Sequence, residues 1–354
     1  MIAENLLRVK KEYGPQATAF YAGYPKWYRP ALLRLSNAYG SPNYCTESST
    51  CFQSAAMAWR SIYGNDICFP DLMHAQTVLV WSNNLYHSNV GMARPYQSLK
   101  ARGAKIIAVD PRETVTTQAA DIHLKLLPGT DGALALSMAQ VIIEEGLYDK
   151  EFVETYVYGF EEYKAYVNQF PPEKAEKITG VDKELIREAA RMYASNGTAG
   201  IMFSASPVVH NINGMQNYRA VMCLIALTGN YDIPGGNPSR PGPVSPCNEY
   251  GKVKRLDTIE AIGEKDFPAW FDLPCEEAQC TRIADYILDE DPYPLKALIG
   301  FGLNHRMWPE PEHFQKALKA LDILCECRSD FSQIQARWQT WFFRQRLPLN
   351  EMLC

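Results

Sequence analysis

The sequence predicts an α/β protein with two interleaved α/β/α units and mostly parallel, doubly wound sheets. Three observations lead to this fold class. The 354 residues suffice for about two domains. Short continuous apolar runs, typical of strands buried on both faces of a parallel sheet, alternate with helical segments. A stretch rich in proline and glycine at 231–251 then separates two such regions. Strand, crossover helix and strand in this order predict right-handed βαβ units.

The first region carries four candidate strands, with candidate helices before, between and after them. Three of the strands are short continuous apolar runs, as is typical of strands between two helical layers, whereas Ile122–Leu127 alternates apolar and polar residues. Asp182 is a candidate N-cap for one of the helices, because aspartate side chains accept hydrogen bonds from the first helical N–H groups. The predicted strands are Thr77–Trp81, Lys105–Val109, Ile122–Leu127 and Ala199–Phe203, and the predicted helices are Phe52–Ile62, Asn89–Arg102, Ala133–Glu145, Lys183–Tyr193 and Met215–Leu227.

The second region repeats the pattern beyond the proline- and glycine-rich stretch. Leu295–Phe301 and Leu321–Cys325 are predicted strands, and Pro311–Ala320 is a predicted helix between them. We assign 46–234 to a doubly wound, dinucleotide-binding-like domain, 1–45 with 235–327 to a discontinuous α/β domain, and 328–354 to a separate tail.

The composition excludes several classes of protein. Lys and Arg number 35 against 40 Asp and Glu, so no basic excess is available for nucleic acid. The longest apolar stretch, 220–228, is far shorter than the ~20 residues that span a bilayer. The first residues lack the features of a signal peptide, so we expect a cytoplasmic protein. No CxxC pair occurs, and no zinc or iron–sulfur spacing is present.

Four predicted strands end in polar or glycine-rich turns. Ligands of doubly wound sheets bind outside the carboxyl ends of the strands, which makes these turns candidates for a binding site. An aspartate there suits a ribose diol and a neighbouring arginine suits a phosphate. Each turn alone is as readily explained as a helix cap or chain reversal, whereas four together favour a nucleotide-like ligand. The turns are Ser82-Asn83-Asn84, Asp110-Pro111-Arg112, Pro128-Gly129-Thr130-Asp131 and Gly300-Phe301-Gly302-Leu303-Asn304.

Cys51 is the thiol whose position suggests chemistry. It follows a polar string, 46–50, and precedes a predicted helix, whose dipole stabilises a thiolate for use as a nucleophile or soft-metal ligand. The alternative is a small buried hydrophobic residue, which is commoner for a lone cysteine. His87 and His210 lie near the candidate ligand loops. From spacing alone, both are more often surface or hydrogen-bonding histidines than catalysts.

A series of motifs connects these turns in a fixed order. Gly40-Ser41-Pro42-Asn43 precedes Cys51. The later motifs are VWSNN at 80–84, KIIAVDPR at 105–112, LLPGTDGALALSMA at 126–139, LYDKEFVETYVYGFEEY at 147–163, ITGVDKELIREAARMYA at 178–194 and LTGNYDIPGG at 227–236. In this order they strongly resemble the molybdopterin oxidoreductases of the dimethyl sulfoxide reductase family, and the resemblance extends over 1–325.

The resemblance implies a cofactor and its binding residues. Family members hold molybdenum or tungsten between the dithiolenes of two pyranopterin guanine dinucleotides. Cys51 occupies the place of the catalytic residue that ligates the metal. The strand-end turns and the loops at 204–214 and 300–304 match segments that lie near the cofactor. The implied cofactor-binding residues are Ser82, Asn83, Asn84, His87, Asp110, Arg112, Gly129, Asp131, Ser204, Ala205, His210, Gly300 and Asn304.

The resemblance therefore implies the central part of the catalytic subunit of a bis-pterin molybdenum or tungsten oxidoreductase, which transfers oxygen atoms or electrons. The alternative is a truncated, catalytically silent fragment that at most binds a nucleotide. An NAD-dependent dehydrogenase is a weaker third interpretation, because the GxGxxG fingerprint is absent from the sequence. Phe52 stands where formate dehydrogenases of the family usually have a histidine, which disfavours formate as the substrate.

The sequence also departs from the family pattern. We expect the N-terminal iron–sulfur domain and the C-terminal domain of the family to be missing. No iron–sulfur cluster is then expected in this chain, and the pterin cofactor can be absent from the chain alone. The resemblance implies an iron–sulfur electron-transfer subunit as the partner of the parent enzyme. That enzyme can be exported through a signal in the missing N-terminal part.

The tail beginning at Phe331 reads FSQIQARWQTWFFRQRLPLNE, which is not the family pattern. If the reading frame is shifted to begin at the third base of the Phe331 codon, the possible codons can encode LTDTSKMADLVFPAATSFERN. This shifted sequence has the family pattern. Because tryptophan has a single codon, TGG, Trp338 and Trp341 fix two of these shifted codons as alanine and valine. We therefore infer a frameshift just before Phe331, and expect 328–354 not to be selected to fold.

Overall fold

The computed structural model describes residues 2–24, 26–65, 67–239, 259–273 and 277–327. The chain divides into two compact units. The central unit is Cys51–Gly242, and the flanking unit combines Met1–Thr50 with Pro243–Cys354. The domain limits predicted from the sequence, at 45/46 and 234/235, stay a prediction. The predicted tail, 328–354, lies outside the described residues.

Within the described ranges, eight strands form two sheets, and every strand pair is parallel. This confirms the predicted α/β class with parallel sheets. The strands are β1 (Thr18–Ala22), β2 (Tyr44–Thr46), β3 (Thr77–Trp81), β4 (Lys105–Val109), β5 (Ile122–Leu124), β6 (Ala199–Phe203), β7 (Ala297–Phe301) and β8 (Ile323–Cys327).

Helices connect the strands and cover the sheets. Their ends follow local rules, as in the helix that begins at Lys183, where the Asp182 carboxylate accepts from the N–H groups of Glu184 and Leu185. The helices are α1 (Ile2–Tyr13), α2 (Arg29–Tyr39), α3 (Gln53–Tyr63), α4 (Leu85–Ser88), α5 (Val90–Ala101), α6 (Val115–Gln118), α7 (Asp131–Glu144), α8 (Lys150–Tyr156), α9 (Phe160–Val167), α10 (Pro172–Thr179), α11 (Lys183–Ser195), α12 (Ala205–Val209), α13 (Gly214–Leu227), α14 (Pro268–Asp272), α15 (Ile283–Asp289) and α16 (Pro311–Ala320).

The sheet of the central unit has the strand order β5-β4-β3-β6. The chain places β4 and β5 on one side of β3 and later returns to place β6 on the other side. The order therefore reverses between β3 and β6, and this is the topological switch point at which open α/β sheets bind ligands. Three strands have the predicted bounds, whereas β5 ends at Leu124, three residues earlier than expected, because the N–H of Leu126 turns back to the Leu124 carbonyl.

Alternate side chains of these strands enter two different cores, as the two-residue period of a strand requires. Leu79, Ile107 and Ile201 pack with α3, α7, α11 and α13 on one face. Val78 and Ile106 pack with α5 on the other. The sheet is thus the middle layer of an α/β/α unit, and the side chains that follow the strands are left at its carboxyl edge.

One edge of this sheet is closed by a side chain. Asn237 accepts from the N–H of Ile201 through Oδ1 (2.8 Å) and donates from Nδ2 to the Ile201 carbonyl (2.9 Å). Asn230 binds the start of the same strand, where its Oδ1 accepts from the N–H of Ala199 (2.9 Å). These two buried asparagines satisfy backbone groups that an edge strand would otherwise leave unpaired.

The sheet of the flanking unit has the order β2-β1-β7-β8, and its switch point lies between β1 and β7. β1 and β2 were not among the predicted strands, because both are short and neither is rich in β-branched residues. β1 pairs with β2 on one side and, on the other, with β7, which follows more than 270 residues later. In the described part of the chain, no helix has the length and apolar character needed to cross a membrane.

Candidate functional site

We call the carboxyl edge of the central sheet the ligand edge, where Ser82–Asn84, Asp110–Arg112, Gly129–Asp131 and Ser204 follow the strands. Backbone hydrogen bonds continue past the strand ends and join three of these segments. The N–H of Ser82 donates to the Val109 carbonyl (2.7 Å), and that of Ser204 donates to the Trp81 carbonyl (3.1 Å). The predicted turns after β3 and β4 and the loop after β6 are therefore brought to one place at the switch point.

Asn84 carries an unsatisfied acceptor. The turn that leads to it is tightly fixed, since Ser82 has a left-handed φ of 51° and Asn83 donates from Nδ2 to the Phe203 carbonyl (3.1 Å). The Oδ1 atom of Asn84 is buried and has no hydrogen-bond partner within the described residues. A buried acceptor without a donor costs about 1–3 kcal/mol. A ligand with an N–H or O–H group directed at this atom would recover that cost.

Asp110 and Arg112 form a compact turn at the end of β4. Asp110 is 7% exposed, and its Oδ1 accepts from the N–H of Arg112 (2.8 Å). A ring nitrogen of His123 lies 2.8 Å from the Asp110 carbonyl oxygen. The Arg112 side chain is 70% exposed, and its Nε lies 3.8 Å from Asp110 Oδ1. The turn thus presents a guanidinium group to solvent, and that fork matches the oxygens of a phosphate.

The turn after β5 joins the same edge through a buried carboxylate. Asp131 is 4% exposed, and its Oδ1 accepts from Nε1 of Trp81 (2.7 Å). Burial raises the pKa of the Asp131 carboxyl, and the Trp81 N–H opposes that rise. Gly129, two residues earlier, has a φ of 85° and open space where a Cβ would stand. The backbone of this turn is therefore accessible for close approach.

The loop after β6 holds the remaining predicted residues of the central unit. Ser204 precedes α12, Ala205 begins it, and the exposed His210 follows it. His87 is also exposed, in the short helix α4. The contacts described for His87 and His210 do not indicate that either side chain binds a ligand. No cluster of three or more His, Cys, Asp or Glu residues suited to a metal ion occurs among the described residues.

The sequence analysis missed Asn217, which ties this loop to the turn after β5. Asn217 is 2% exposed and lies in the first turn of α13. Its amide bonds to Gly129 and Gly132 on one side and to Asn211 and Asn213 on the other. An asparagine near the start of a largely apolar helix was the available signal, but the partners in the turn after β5, Gly129 and Gly132, are distant in sequence.

Cys51 lies in the turn immediately before α3 and is partly buried. The preceding segment is fixed within the flanking unit, because Ser49 Oγ accepts from the N–H of Cys280 (3.2 Å) and the Ser49 carbonyl accepts from Thr281 Oγ1 (3.0 Å). A thiolate two residues before the first turn of a helix is stabilised by the helix dipole. The position therefore suits a thiolate that ligates a metal.

Gly300 and Asn304 lie at the switch point of the flanking unit. There the backbone of β1 and the backbone of β7 come very close. The N–H of Gly23 donates to the Phe301 carbonyl (2.7 Å), and a Cβ on Gly23 would stand 2.5 Å from the Gly302 oxygen. Asn304 Oδ1 is occupied by the N–H of Arg306 (3.2 Å). The sequence analysis missed Gly23, because this contact depends on the pairing of distant strands.

A partly buried carboxyl with a raised pKa was also missed in the flanking unit. Glu277 is hydrogen-bonded to Thr46, and burial, with a smaller contribution from Glu47, raises the pKa of its carboxyl to about 7. The Arg29 guanidinium opposes that rise, but it is already paired with Glu47. Tyr44 and Cys45 are the other ionisable groups that interact with this carboxyl. Glu277 therefore exchanges a proton near neutral pH.

A family model and individual relatives both match the chain. The family model "Molybdopterin oxidoreductase" matches residues 1–265. The chain is 32% identical over 346 residues to the F420-dependent formate dehydrogenase subunit alpha of Methanocaldococcus jannaschii, covering 92% of this chain and 49% of that protein. It is 36% identical over 321 residues to formate dehydrogenase H of Escherichia coli, covering 82% of this chain and 45% of that protein.

A solved structure agrees with the sequence comparisons. The acetylene hydratase of Pelobacter acetylenicus superposes with a TM-score of 0.82 at 28% identity, covering 92% of this chain and 48% of that chain. The chain spans about half the length of the relatives it matches. The resemblance inferred from the motifs is confirmed, and with it the class of cofactor, a molybdenum or tungsten pterin. The chain belongs to the molybdopterin oxidoreductase family.

Proposed function

We propose that the chain is the central part of the catalytic subunit of a molybdenum or tungsten oxidoreductase, in which the ligand edge binds a pyranopterin guanine dinucleotide and Cys51 ligates the metal. The unsatisfied Oδ1 of Asn84 is the observation that carries this proposal. It is a buried acceptor at the switch point, where a doubly wound sheet binds nucleotides. A purine or pterin N–H, or a ribose O–H, would supply the missing donor.

The other groups at the edge fit the parts of such a dinucleotide. The exposed guanidinium of Arg112 suits a phosphate, and the open space beside Gly129 admits a ligand close to the backbone. In the flanking unit, the close approach of Gly23 and Gly302 leaves a backbone-lined surface at the second switch point. Two switch points in one chain support a cofactor with two dinucleotides.

Cys51 would bind the metal as a thiolate. The dipole of α3 lowers the cost of removing the thiol proton, and thiolate is a soft ligand suited to a metal that already carries sulfur ligands. When bound, the metal–pterin group supplies two-electron redox chemistry, while the residues of this chain bind and orient it. Phe52, next to Cys51, offers no group that can take a proton from a substrate, which supports a substrate other than formate.

Nucleotide binding without catalysis is the second candidate. The side chains that suit a nucleotide belong to the central unit, whereas the described residues contain no cluster of three or more His, Cys, Asp or Glu suited to a metal ion. We also propose an iron–sulfur electron-transfer subunit as the partner of the whole enzyme. The name "subunit alpha" of a relative supports a multi-subunit assembly.

Two measurements on the full chain distinguish these functions. Calorimetric titration with guanosine monophosphate, and with adenosine monophosphate as the comparison, tests the ligand edge. Elemental analysis after expression with molybdate or tungstate tests the metal. Guanosine binding with stoichiometric metal supports the oxidoreductase, whereas guanosine binding without metal supports the nucleotide-binding fragment. Absence of both would contradict the proposal.

Asn84→Ala sharpens the nucleotide test. Removal of an unsatisfied acceptor should leave the melting temperature of the free chain unchanged or slightly higher, while guanosine affinity falls by about tenfold. Asn89→Ala, at an exposed position before α5, is the matched control and should change neither quantity. A loss of stability in Asn84→Ala with unchanged affinity would show that Asn84 serves the fold alone.

A further inference from the structure

Asn217 uses its whole side-chain amide to connect two segments of the central unit. Nδ2 donates to the carbonyl of Gly129 (3.3 Å) and to Oδ1 of Asn211 (3.3 Å). Oδ1 accepts from the N–H of Gly132 (3.2 Å) and from Nδ2 of Asn213 (3.3 Å). Two bonds thus reach the turn after β5, and two reach the loop after β6.

These two segments have no backbone pairing that could set their separation. β5 and β6 are the outer strands of the order β5-β4-β3-β6, so their axes are separated by about 14 Å, three strand spacings. The helices that follow them, α7 and α13, share one core with α3. Asn217 and Gly132 lie at the adjoining first turns of α13 and α7, where a direct connection is geometrically available.

The fit at this point is close on both sides. A Cβ on Gly132 would stand 2.6 Å from Oδ1 of Asn217, so the glycine leaves room for the amide. The same Cβ would stand 3.4 Å from the Cα of Asn217, so the backbones of α7 and α13 also approach closely here. The pair is therefore a matched contact between α7 and α13 rather than an incidental one.

We infer that Asn217 is a positioning residue of the cofactor site, which sets the Gly129 turn relative to the 204–214 loop so that both meet one dinucleotide. This inference rests on the proposed function. Asn217 itself is nearly fully buried, so it acts through the backbone of the turn and the side chains of the loop. Gly129 and Ser204 would lose their common alignment if the amide were removed.

Asn230 provides the contrast that separates positioning from ordinary structural support. It is also a buried asparagine of the central unit, but its Oδ1 accepts from Ala199 at the start of β6, and its Nδ2 donates to Thr228 Oγ1 (2.7 Å). Those bonds lie at the amino end of the strand, opposite to the ligand edge. Loss of its amide should affect stability without moving the two ligand segments.

The test compares Asn217→Asp with Asn230→Asp in the full chain. Each substitution keeps the shape of the side chain and replaces its donor group by an oxygen. In Asn217→Asp an acceptor oxygen then replaces Nδ2 and faces the carbonyl oxygen of Gly129 and Oδ1 of Asn211. Hydrogen exchange of the peptides covering 125–133 and 204–214 should accelerate together, while in Asn230→Asp these peptides should exchange as in the wild type. Guanosine monophosphate affinity should fall by about tenfold or more in Asn217→Asp and by less than about twofold in Asn230→Asp.

The outcomes decide the two proposals separately. Wild-type exchange in both peptides of Asn217→Asp, or equal loss of affinity in the two variants at equal stability, would overturn the positioning role. If the wild-type chain binds no guanosine nucleotide, the proposed function fails, and the exchange of the two peptides still decides whether Asn217 aligns them. Should Asn217→Asp not fold, Asn213→Ala removes one of the four bonds from an exposed position, and it should give the same changes at smaller size.

Discussion

At its switch point the central unit presents side chains, whereas the flanking unit presents backbone. In the central unit, Asn84 offers an unsatisfied acceptor and Arg112 an exposed guanidinium. In the flanking unit, Gly23 and Gly302 approach so closely that no side chain fits, and Asn304 already accepts a hydrogen bond from its own loop. A substitution at the first switch point therefore tests binding, and a substitution at the second tests the fold.

The largest effect is expected for Gly23→Ala. The new methyl group would stand 2.5 Å from the Gly302 oxygen and 3.0 Å from the Phe301 oxygen, and both are backbone atoms of a packed strand end. We expect a loss of about 2–4 kcal/mol in the free energy of unfolding, measured in urea.

Gly91→Ala is the control for that prediction, because Gly91 lies in α5 with nothing near its Cβ position. It should stabilise the chain by about 0.5–1 kcal/mol, since alanine is the better helix former. Equal behaviour of the two variants would show that the close contact at the flanking switch point does not exist.

The next prediction concerns the pH dependence of stability, because burial raises the pKa of one carboxyl in each unit, Glu277 and Asp131. The pKa of Glu277 rises from 4.5 unfolded to about 7 folded, so the folded chain binds this proton more tightly. Its contribution is fully present below pH 4.5 and is lost as the pH rises through about 7, which amounts to about 3 kcal/mol. Glu277→Gln should match the wild type at acid pH and exceed its unfolding free energy at pH 8. The exposed Glu154→Gln should follow the wild type at every pH.

The same experiment sharpens the contrast between the units. Asp131 also has a raised pKa, but Trp81 donates to its carboxylate, whereas Glu47 places a like charge near Glu277. The contribution of Asp131 is likewise lost as the pH rises through its raised pKa. Asp131→Asn should therefore gain unfolding free energy relative to the wild type as the pH rises, in the same direction as Glu277→Gln. A pH profile of Glu277→Gln parallel to that of the wild type would contradict the assignment.

A smaller effect is expected for Trp81→Phe. The substitution removes the indole N–H of Trp81, which donates a hydrogen bond to Asp131 Oδ1 (2.7 Å). The buried carboxylate then has one hydrogen-bond donor fewer. The expected loss is about 1–3 kcal/mol, measured by urea unfolding at pH 7. In the double variant with Asp131→Ala the two losses should not add, because each single substitution already removes the same bond. Full additivity would show that the bond contributes nothing.

The smallest effect on stability should come from Gly129→Ala. Its Cβ would meet no atom within 4 Å, so the cost arises only from the φ of 85° and should be about 1 kcal/mol. Guanosine affinity should fall more than this stability loss suggests, because the methyl group occupies the space open to a ligand. Calorimetry on the folded variant checks this, and unchanged affinity would place the ligand elsewhere.

Elements whose determinants are local have the bounds that the sequence predicts most accurately. Thr77–Trp81, Lys105–Val109 and Ala199–Phe203 are strands with the predicted bounds, because continuous apolar runs between polar turns leave few alternatives. Asp182 is the predicted cap, since capping involves adjacent residues only. The turns that were predicted to bind a ligand follow from these strand ends, and their role in binding stays a prediction.

The features that were missed depend on contacts between distant residues. Gly23 packs against the backbone of Gly302, Asn217 donates a hydrogen bond to Gly129, and Glu277 is hydrogen-bonded to Thr46. The two residues of each pair are far apart in sequence, so no local pattern reveals the contact. The unsatisfied Oδ1 atom of Asn84 also depends on distant contacts. Asn84 itself was predicted as a site residue, but the burial of this atom without a hydrogen-bond donor follows from the packing of the whole ligand edge.

The interleaving of the units has a consequence for biosynthesis. All four strands of the central sheet are translated before β7, whereas the flanking sheet has only β1 and β2 until more than 270 residues later. On the ribosome, the central unit can complete its sheet while β1 still lacks one of its two neighbours, β7. Until β7 is synthesised, one edge of β1 therefore stays unpaired. That exposed edge can pair with a wrong strand or bind a chaperone.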